Sequence, residues 1–220
     1  YALSLLAAVE WFLADRILIE EPAGILPLVF NTTVRLTIFI GGAWLVGGIR
    51  LSLLRESCLA REDGLTQLPN RREFHERGRM AFAQAQRQQA PFTAVFIDLD
   101  RFKEVNDAMG HQVGDQLLKS VAAAMRDHVR ISDIPCRLGG DEFALLLPGM
   151  RAAAAQLYVE QLQTRLLEAM KLNGWPVTFS IGVASHNVTP GDFDGLLKQA
   201  DAVMYEVKRS GRNRILLREF

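Results

Sequence analysis

Four carboxylates stand out by their positions. Asp98 and Asp100 close the apolar run Phe92–Ile97, and Asp141 and Glu142 follow directly on Gly139-Gly140. Alone, an Asp at a strand end also reads as a helix cap and a glycine pair as a turn. Together they place acids at a strand end and on a tight turn. If those two strands are neighbours, Asp98 and Asp141 converge. Oxygens from two chain segments, completed by water and phosphate oxygens, are the donor set that magnesium prefers.

These groups need a scaffold, and the chain predicts one. Asp63–Arg72 reads as a turn followed by a helix start, and Arg72–Gln88 as an amphipathic helix stopped by Ala90-Pro91. Phe92–Ile97 is an unbroken apolar run, as expected of a central strand covered on both faces. Val113–Val129, Arg151–Leu172 and Phe193–Lys208 have helical patterning. Ile134–Leu138 and Glu142–Leu147 form a hairpin whose glycines supply positive φ. Pro176–Ser185 and Arg214–Leu217 are further strands. The predicted fold class is α/β (α+β), a central mixed sheet flanked by helices.

The 220 residues carry 25 basic and 25 acidic side chains. A net charge of zero argues against a bulk nucleic-acid binder. With 49% apolar and 23% charged residues, the chain is not disordered. The two cysteines, Cys58 and Cys136, make neither a disulfide framework nor a cysteine zinc site.

The first sixty residues differ in character, with 37 apolar side chains, four arginines and no lysine. Tyr1–Leu13 is apolar but too short to span a bilayer, and is expected to be the tail of a helix that begins upstream. Asp15–Glu21 is polar, and Pro22, Gly24 and Pro27 are expected to break any helix there. Leu36–Leu54 has one charge, Arg50, and as a helix would be about 28 Å long, the thickness of a hydrocarbon core. Arg35 and Arg50 can reach the two interfaces. The arginines after this segment place the remainder in the cytoplasm by the positive-inside rule. A buried helix of a soluble domain is the alternative. Leu51, Leu54 and Cys58 suggest a short parallel helix pair, or else a solvated linker. The expected division is a membrane region at 1–54, a linker helix at 55–62 and a catalytic domain at 63–220.

The motifs along residues 61–218 resemble the GGDEF family of diguanylate cyclases. They are Asp63-Gly-Leu-Thr-Gln-Leu-Pro-Asn-Arg-Arg72, Phe96-Ile-Asp98-Leu-Asp-Arg-Phe-Lys103-Glu-Val-Asn106-Asp, Gly110-His111 with Gly114-Asp115, and Arg137 ahead of Gly139-Gly140-Asp141-Glu142-Phe143. Ser180-Ile-Gly182-Val and Ala200-Asp201 through Tyr205, Lys208, Gly211, Arg212 and Asn213 complete the set. Several ordered motifs are far more specific than one five-residue match. Gly64 and Gln67 depart from the pattern in the opening motif and touch no expected catalytic role.

The resemblance implies a fold like nucleotidyl cyclases and polymerase palms, and joining of two GTP into cyclic di-GMP with release of two pyrophosphates. It makes Asp98 and Asp141 magnesium (or manganese) ligands, with the carbonyl of Leu99 as a third contact. Glu142 assists the metal or the hydroxyl deprotonation. Gly139 and Gly140 let the backbone approach the α-phosphate. Lys103, Lys208 and Arg212, with backbone N–H groups across Arg101, Phe102 and Lys103, neutralise the outer phosphates. Read by themselves, Lys208 and Arg212 are charges complementing a helix C-terminus. Asn106 and Asp115 are implied guanine readers, and Asp115 favours GTP over ATP because only guanine offers its carboxylate two donors; Asp115 also reads as a helix cap. Arg130 and Asp133 resemble a product-inhibition site for cyclic di-GMP, or simply a helix-ending Arg and a turn Asp. His111 is expected to order the loop before Gly114.

The family's active unit is a homodimer, with each GTP attacking the other. The resemblance and the apolar segment together imply a bacterial inner-membrane protein with a cytoplasmic catalytic domain and no nucleic-acid partner. Two other readings are a silent domain that senses GTP or cyclic di-GMP, and a structural dimerisation unit. Retention of all five residues Gly139–Phe143 favours the enzyme, and Asp115 disfavours a mixed-base cyclase.

Overall fold

A computed structural model describes Val9, the helix at 25–59 and residues 61–220, with side chains in that helix given for 32–50. The chain divides into two compact units, Tyr1–Ala60 and Arg61–Phe220.

In the first unit, α1 (Ile25–Leu59) is one helix of 35 residues. Pro27 lies in its first turn, where no intrahelical N–H is needed, so the break expected there does not occur. Among the described residues Thr32–Arg50 is the one segment long and apolar enough to cross a membrane, four residues earlier than the Leu36–Leu54 expected. Its Ile38, Trp44, Leu45 and Val46 are all exposed within the unit. The expectations for Tyr1–Leu13 beyond Val9, for Asp15–Glu21, Pro22 and Gly24, and for the side chains of Leu51, Leu54 and Cys58 lie outside the described residues.

The second unit is built on five strands. They are β1 (Phe92–Asp100), β2 (Ile134–Gly139), β3 (Glu142–Pro148), β4 (Thr178–His186) and β5 (Arg214–Glu219). Their order in the sheet is β2-β3-β1-β4-β5. β1 is central and antiparallel to both β3 and β4, and β5 joins β4 in parallel. The helices are α2 (Arg71–Arg87), α3 (Phe102–Met109), α4 (His111–His128), α5 (Ala152–Leu172) and α6 (Phe193–Arg209).

Strand alternation sorts the core into two layers. Val95, Ile97 and Leu99 of β1 pack with Leu117, Val121 and Met125 of α4 and with Val159 and Leu162 of α5. Phe92 and Ala94 face the other way, among Phe74 and Phe82 of α2 and Phe193, Leu196 and Ala200 of α6. Asp98 and Asp100 continue this second face at the strand end. The mixed sheet with helices on both faces is the architecture the sequence predicts. The N-caps also follow sequence logic, since Asn70 accepts from the N–H of Glu73 at 3.0 Å and Asp192 accepts from those of Asp194 and Gly195.

Two local expectations need correction. α3 was not anticipated, and only Gly110 separates it from α4. His111 is therefore the exposed first residue of α4, not part of a loop before Gly114. The acids fall where the sequence puts them, since β1 runs through Asp98 and ends at Asp100.

Candidate active site

The β2–β3 hairpin is the first structural device of the site. Gly139 has φ of +143° and Gly140 of +53°, so a side chain at either would be strained. The turn leaves Asp141 partly exposed and Glu142 exposed. Arg137 fixes its tip. Its Nε and Nη2 donate to the carbonyl of Gly140 at 3.1 and 2.8 Å, and its Nη1 reaches Asp63 Oδ1 at 3.0 Å. Asp63 also accepts from Thr66 N–H and Oγ1 at 2.8 and 2.6 Å. Burial works to raise the Asp63 pKa, but the hydrogen bonds from Thr66 and Arg137 outweigh it and hold the carboxyl below its ordinary value.

The second device is the pairing of β1 with β3. Asp98 lies opposite Glu142, the neighbour of Asp141, and the N–H of Leu99 donates to the carbonyl of Asp141 at 3.3 Å. The end of β1 that carries Asp98 and the turn that carries Asp141 thus meet at one end of the sheet. Asp98 is only 5% exposed. Burial pushes its pKa up to about 6, helped by the charges of Asp141 and Asp100 and opposed by Lys208. The Lys208 ammonium, from the last turn of α6, is 2.5 Å from Asp98 Oδ2.

Asp100, two residues on, has a different task. It is buried and accepts from Thr178 Oγ1, Ser180 Oγ and the N–H of Asn213 at 2.8, 2.7 and 3.1 Å, with Arg212 Nε at 3.9 Å. These bonds tie the end of β1 to the start of β4 and to the α6–β5 turn. In that turn Gly211, Arg212 and Asn213 all have positive φ. Sequence reasoning gave Asp100 no role. The available signal was its two-residue spacing from Asp98, which puts both carboxylates on one sheet face.

The third device is the α3–α4 pair. Arg101 occupies the N-cap position of α3 in the left-handed region, φ +62°, so the first N–H groups of the helix, at Phe102 and Lys103, follow directly on the end of β1. Gly114 in α4 permits a close helix approach, because a Cβ there would lie 1.9 Å from Asn106 Oδ1. Asn106 is thereby set against the residue that precedes the exposed Asp115.

Arg130 and Asp133 lie apart from these devices, after α4. Asp133 is buried and accepts from the N–H of Arg130 at 2.9 Å and from Tyr158 Oη at 2.6 Å. The exposed Arg130 guanidinium sits 5.5 Å from the Tyr158 ring centroid.

Among the described residues no three His, Cys, Asp or Glu side chains form a ready-made metal cage. Asp98 and Asp141 nonetheless suit a hard cation that keeps water and phosphate ligands. The structure itself shows the demand for positive charge, since Lys208 stands against a buried carboxylate with two further acids nearby.

An acidic strand end beside a glycine hairpin, on a β2-β3-β1-β4-β5 sheet with helices on both faces, defines a mixed α/β domain with its candidate site at one end of the sheet. Residues 60–214 match the family described as diguanylate cyclase, GGDEF domain, and the chain belongs to that family. Over 160 residues it is 43% identical to the bifunctional diguanylate cyclase/cyclic di-GMP phosphodiesterase MucR of Pseudomonas aeruginosa, covering 70% of this chain and 23% of that protein. It is 38% identical over 159 residues to the diguanylate cyclase DosC of Escherichia coli, covering 70% and 34%. The GGDEF domain of DgcB from Caulobacter crescentus, solved in complex with c-di-GMP, superposes with a TM-score of 0.64 at 30% identity, covering 72% of this chain and 95% of that one. The chain thus spans about a quarter to a third of the length of the curated relatives.

Proposed function

We propose that this chain is a diguanylate cyclase, condensing two GTP into cyclic di-GMP and two pyrophosphates. The observation that carries the reading is the meeting of Asp98 and Asp141 at the sheet end, beside Lys208 and the N-terminus of α3. Family membership and the activities named for MucR and DosC support it.

Asp98, Asp141 and the carbonyl of Leu99 hold magnesium or manganese. When bound, the cation pair supplies charge neutralisation on the triphosphate and lowers the pKa of the attacking hydroxyl. Lys103, Lys208, Arg212 and the N–H groups of Phe102 and Lys103 bind the outer phosphates. Gly139 and Gly140 admit the α-phosphate to the hairpin backbone. Asn106 and Asp115 hold the guanine edge. The 3′-oxygen of one GTP bonds to the α-phosphorus of the other, the bond to the bridging oxygen breaks, and pyrophosphate leaves. Glu142, exposed at the start of β3, assists the metal or the deprotonation of the hydroxyl. Two copies of the domain face each other, each supplying one GTP, so a homodimer closes the ring.

The helix α1 anchors the chain in the bacterial inner membrane, with Thr32–Arg50 spanning it, linker residues 55–62 following and the catalytic domain at 63–220 in the cytoplasm. Arg130 and Asp133 form the site where cyclic di-GMP inhibits. The decisive experiment is incubation of the purified chain with GTP and magnesium, with the product identified by mass. Wild type should yield cyclic di-GMP and Asp141→Ala none, with an unchanged circular dichroism spectrum. Wild-type product from Asp141→Ala would overturn the metal assignment.

A further inference from the structure

Asp98 and Asp100 are both buried and lie on the same sheet face, yet they are satisfied differently. Asp100 is held by three hydrogen-bond donors of its own fold and approached by Arg212. Among the described residues Lys208 is the one side chain that meets the Asp98 carboxylate, at 2.5 Å. An ammonium there and a divalent cation at its usual distance of about 2.0–2.1 Å from oxygen claim the same space and the same charge. The Lys208 side chain is 30% exposed, so its stem has a route outward. A flexible four-carbon stem lets the ammonium move several ångströms, unlike a rigid guanidinium fork.

We infer that Lys208 is an internal counter-ion that occupies the cation position at Asp98 until a nucleotide triphosphate draws it away. The inference rests on the assignment of Asp98 as a cation ligand and adds an order to binding. With no nucleotide, Asp98 is neutralised from within and holds divalent metal poorly. The triphosphate, carrying several negative charges against the single one of Asp98, takes the ammonium and frees the carboxylate. Metal and nucleotide therefore bind as a coupled pair, and the coupling is reciprocal by thermodynamic linkage. The buried carboxylate meanwhile never stands without a partner, which would be costly.

The test is manganese binding to the whole 220-residue chain in detergent, followed by water-proton relaxation without turnover. Lys208→Met keeps the stem and removes the charge. It should bind manganese, without nucleotide, at least tenfold more tightly than wild type. Lys208→Gln should do the same, and circular dichroism checks that both variants fold. Adding Asp98→Asn to Lys208→Met should erase the gain. Unchanged or weaker nucleotide-free binding in both Lys208 variants would overturn the inference. A separate arm measures the ternary complex of wild type, manganese and a non-hydrolysable GTP analogue. If its relaxation signal disappears in Asp98→Asn while the Lys208 variants show no gain, the metal assignment stands and the lysine switch fails. If the signal survives Asp98→Asn, Asp98 is not a ligand and the underlying assignment fails as well.

Discussion

The guanidinium of Arg137 joins Asp63 to the β2–β3 hairpin. It donates to Asp63 Oδ1 at 3.0 Å and twice to the carbonyl of Gly140. The segment that leads into the domain is thereby bonded to the turn that carries Asp141. The Arg137 side chain is 11% exposed, so the pair is poorly screened. Removing one partner leaves a charge in a partly dry place. Arg137→Ala should therefore cost about 2–3 kcal/mol in urea unfolding. Cyclase activity should fall further than the lost stability explains, because the Gly140 carbonyl loses both donors. Arg137→Lys should restore little, since one ammonium cannot reproduce the fork. Full activity in Arg137→Lys would show that the hairpin needs no bidentate hold.

Asp98 gives a pH dependence with a definite sign. Burial raises its pKa from an ordinary 3.8 to about 6. Below pH 4 the group is protonated in both folded and unfolded chains and makes no difference. Between pH 4 and 6 the unfolded chain ionises while the folded one resists, so stability is lost as pH rises through about 6. Asp98→Asn abolishes this loss. Without metal or nucleotide, its stability relative to wild type should improve by about 3 kcal/mol at most between pH 4 and pH 7.5. A difference that does not change with pH would mean that Asp98 ionises normally. Lys208 offsets only part of the burial cost of this charge, and a bound cation would supply the rest.

The legible parts of this chain are those with local causes. The unbroken apolar run at Phe92–Ile97 marks a strand covered on both faces, and Gly139-Gly140 marks a turn needing positive φ. The helix α3 was hidden because it is eight residues long and is capped by Arg101, which has positive φ but is not glycine. The role of Asp100 was hidden because its partners Thr178, Ser180 and Asn213 lie 78, 80 and 113 residues away. Lys208 was legible as a cation at a helix end or on a phosphate. Its contact with Asp98 depends on α6 packing across the sheet, which no local pattern encodes. In the first unit, Pro27 looked like a breaker because its distance from the helix start was not known from sequence.

Two glycines separate a defect in substrate binding from a defect in folding. At Gly114 an added Cβ would meet the tip of Asn106, at 1.9 Å from Oδ1. A side-chain tip can rotate away, and alanine favours a helix over glycine by about 1 kcal/mol. Gly114→Ala should thus fold normally while its apparent KM for GTP rises on the order of tenfold, as expected for one lost hydrogen bond to the base. At Gly182 the added Cβ would lie 2.1 Å from the backbone nitrogen of Met204 and 2.6 Å from the carbonyl of Ala200. Backbone cannot rotate away, so α6 must lift from the sheet. Gly182→Ala should cost about 3 kcal/mol or more in unfolding experiments. If the two variants behave alike, the placement of Asn106 in the guanine site is wrong.

Arg130 and Asp133 should respond unequally to truncation. Asp133 is buried and accepts hydrogen bonds from Tyr158 Oη and the N–H of Arg130. Asp133→Ala leaves both donors short of a partner and should cost about 2–3 kcal/mol. Arg130 is exposed, and its stacking on Tyr158 is worth about 1 kcal/mol or less. A loss of product inhibition in Asp133→Ala would therefore confuse folding with binding. Arg130→Ala is the clean probe. It should weaken cyclic di-GMP binding by calorimetry at least tenfold, lift inhibition at high product and leave initial turnover and unfolding nearly unchanged. Unaltered calorimetric affinity in Arg130→Ala would place the inhibitory ligand elsewhere on the domain.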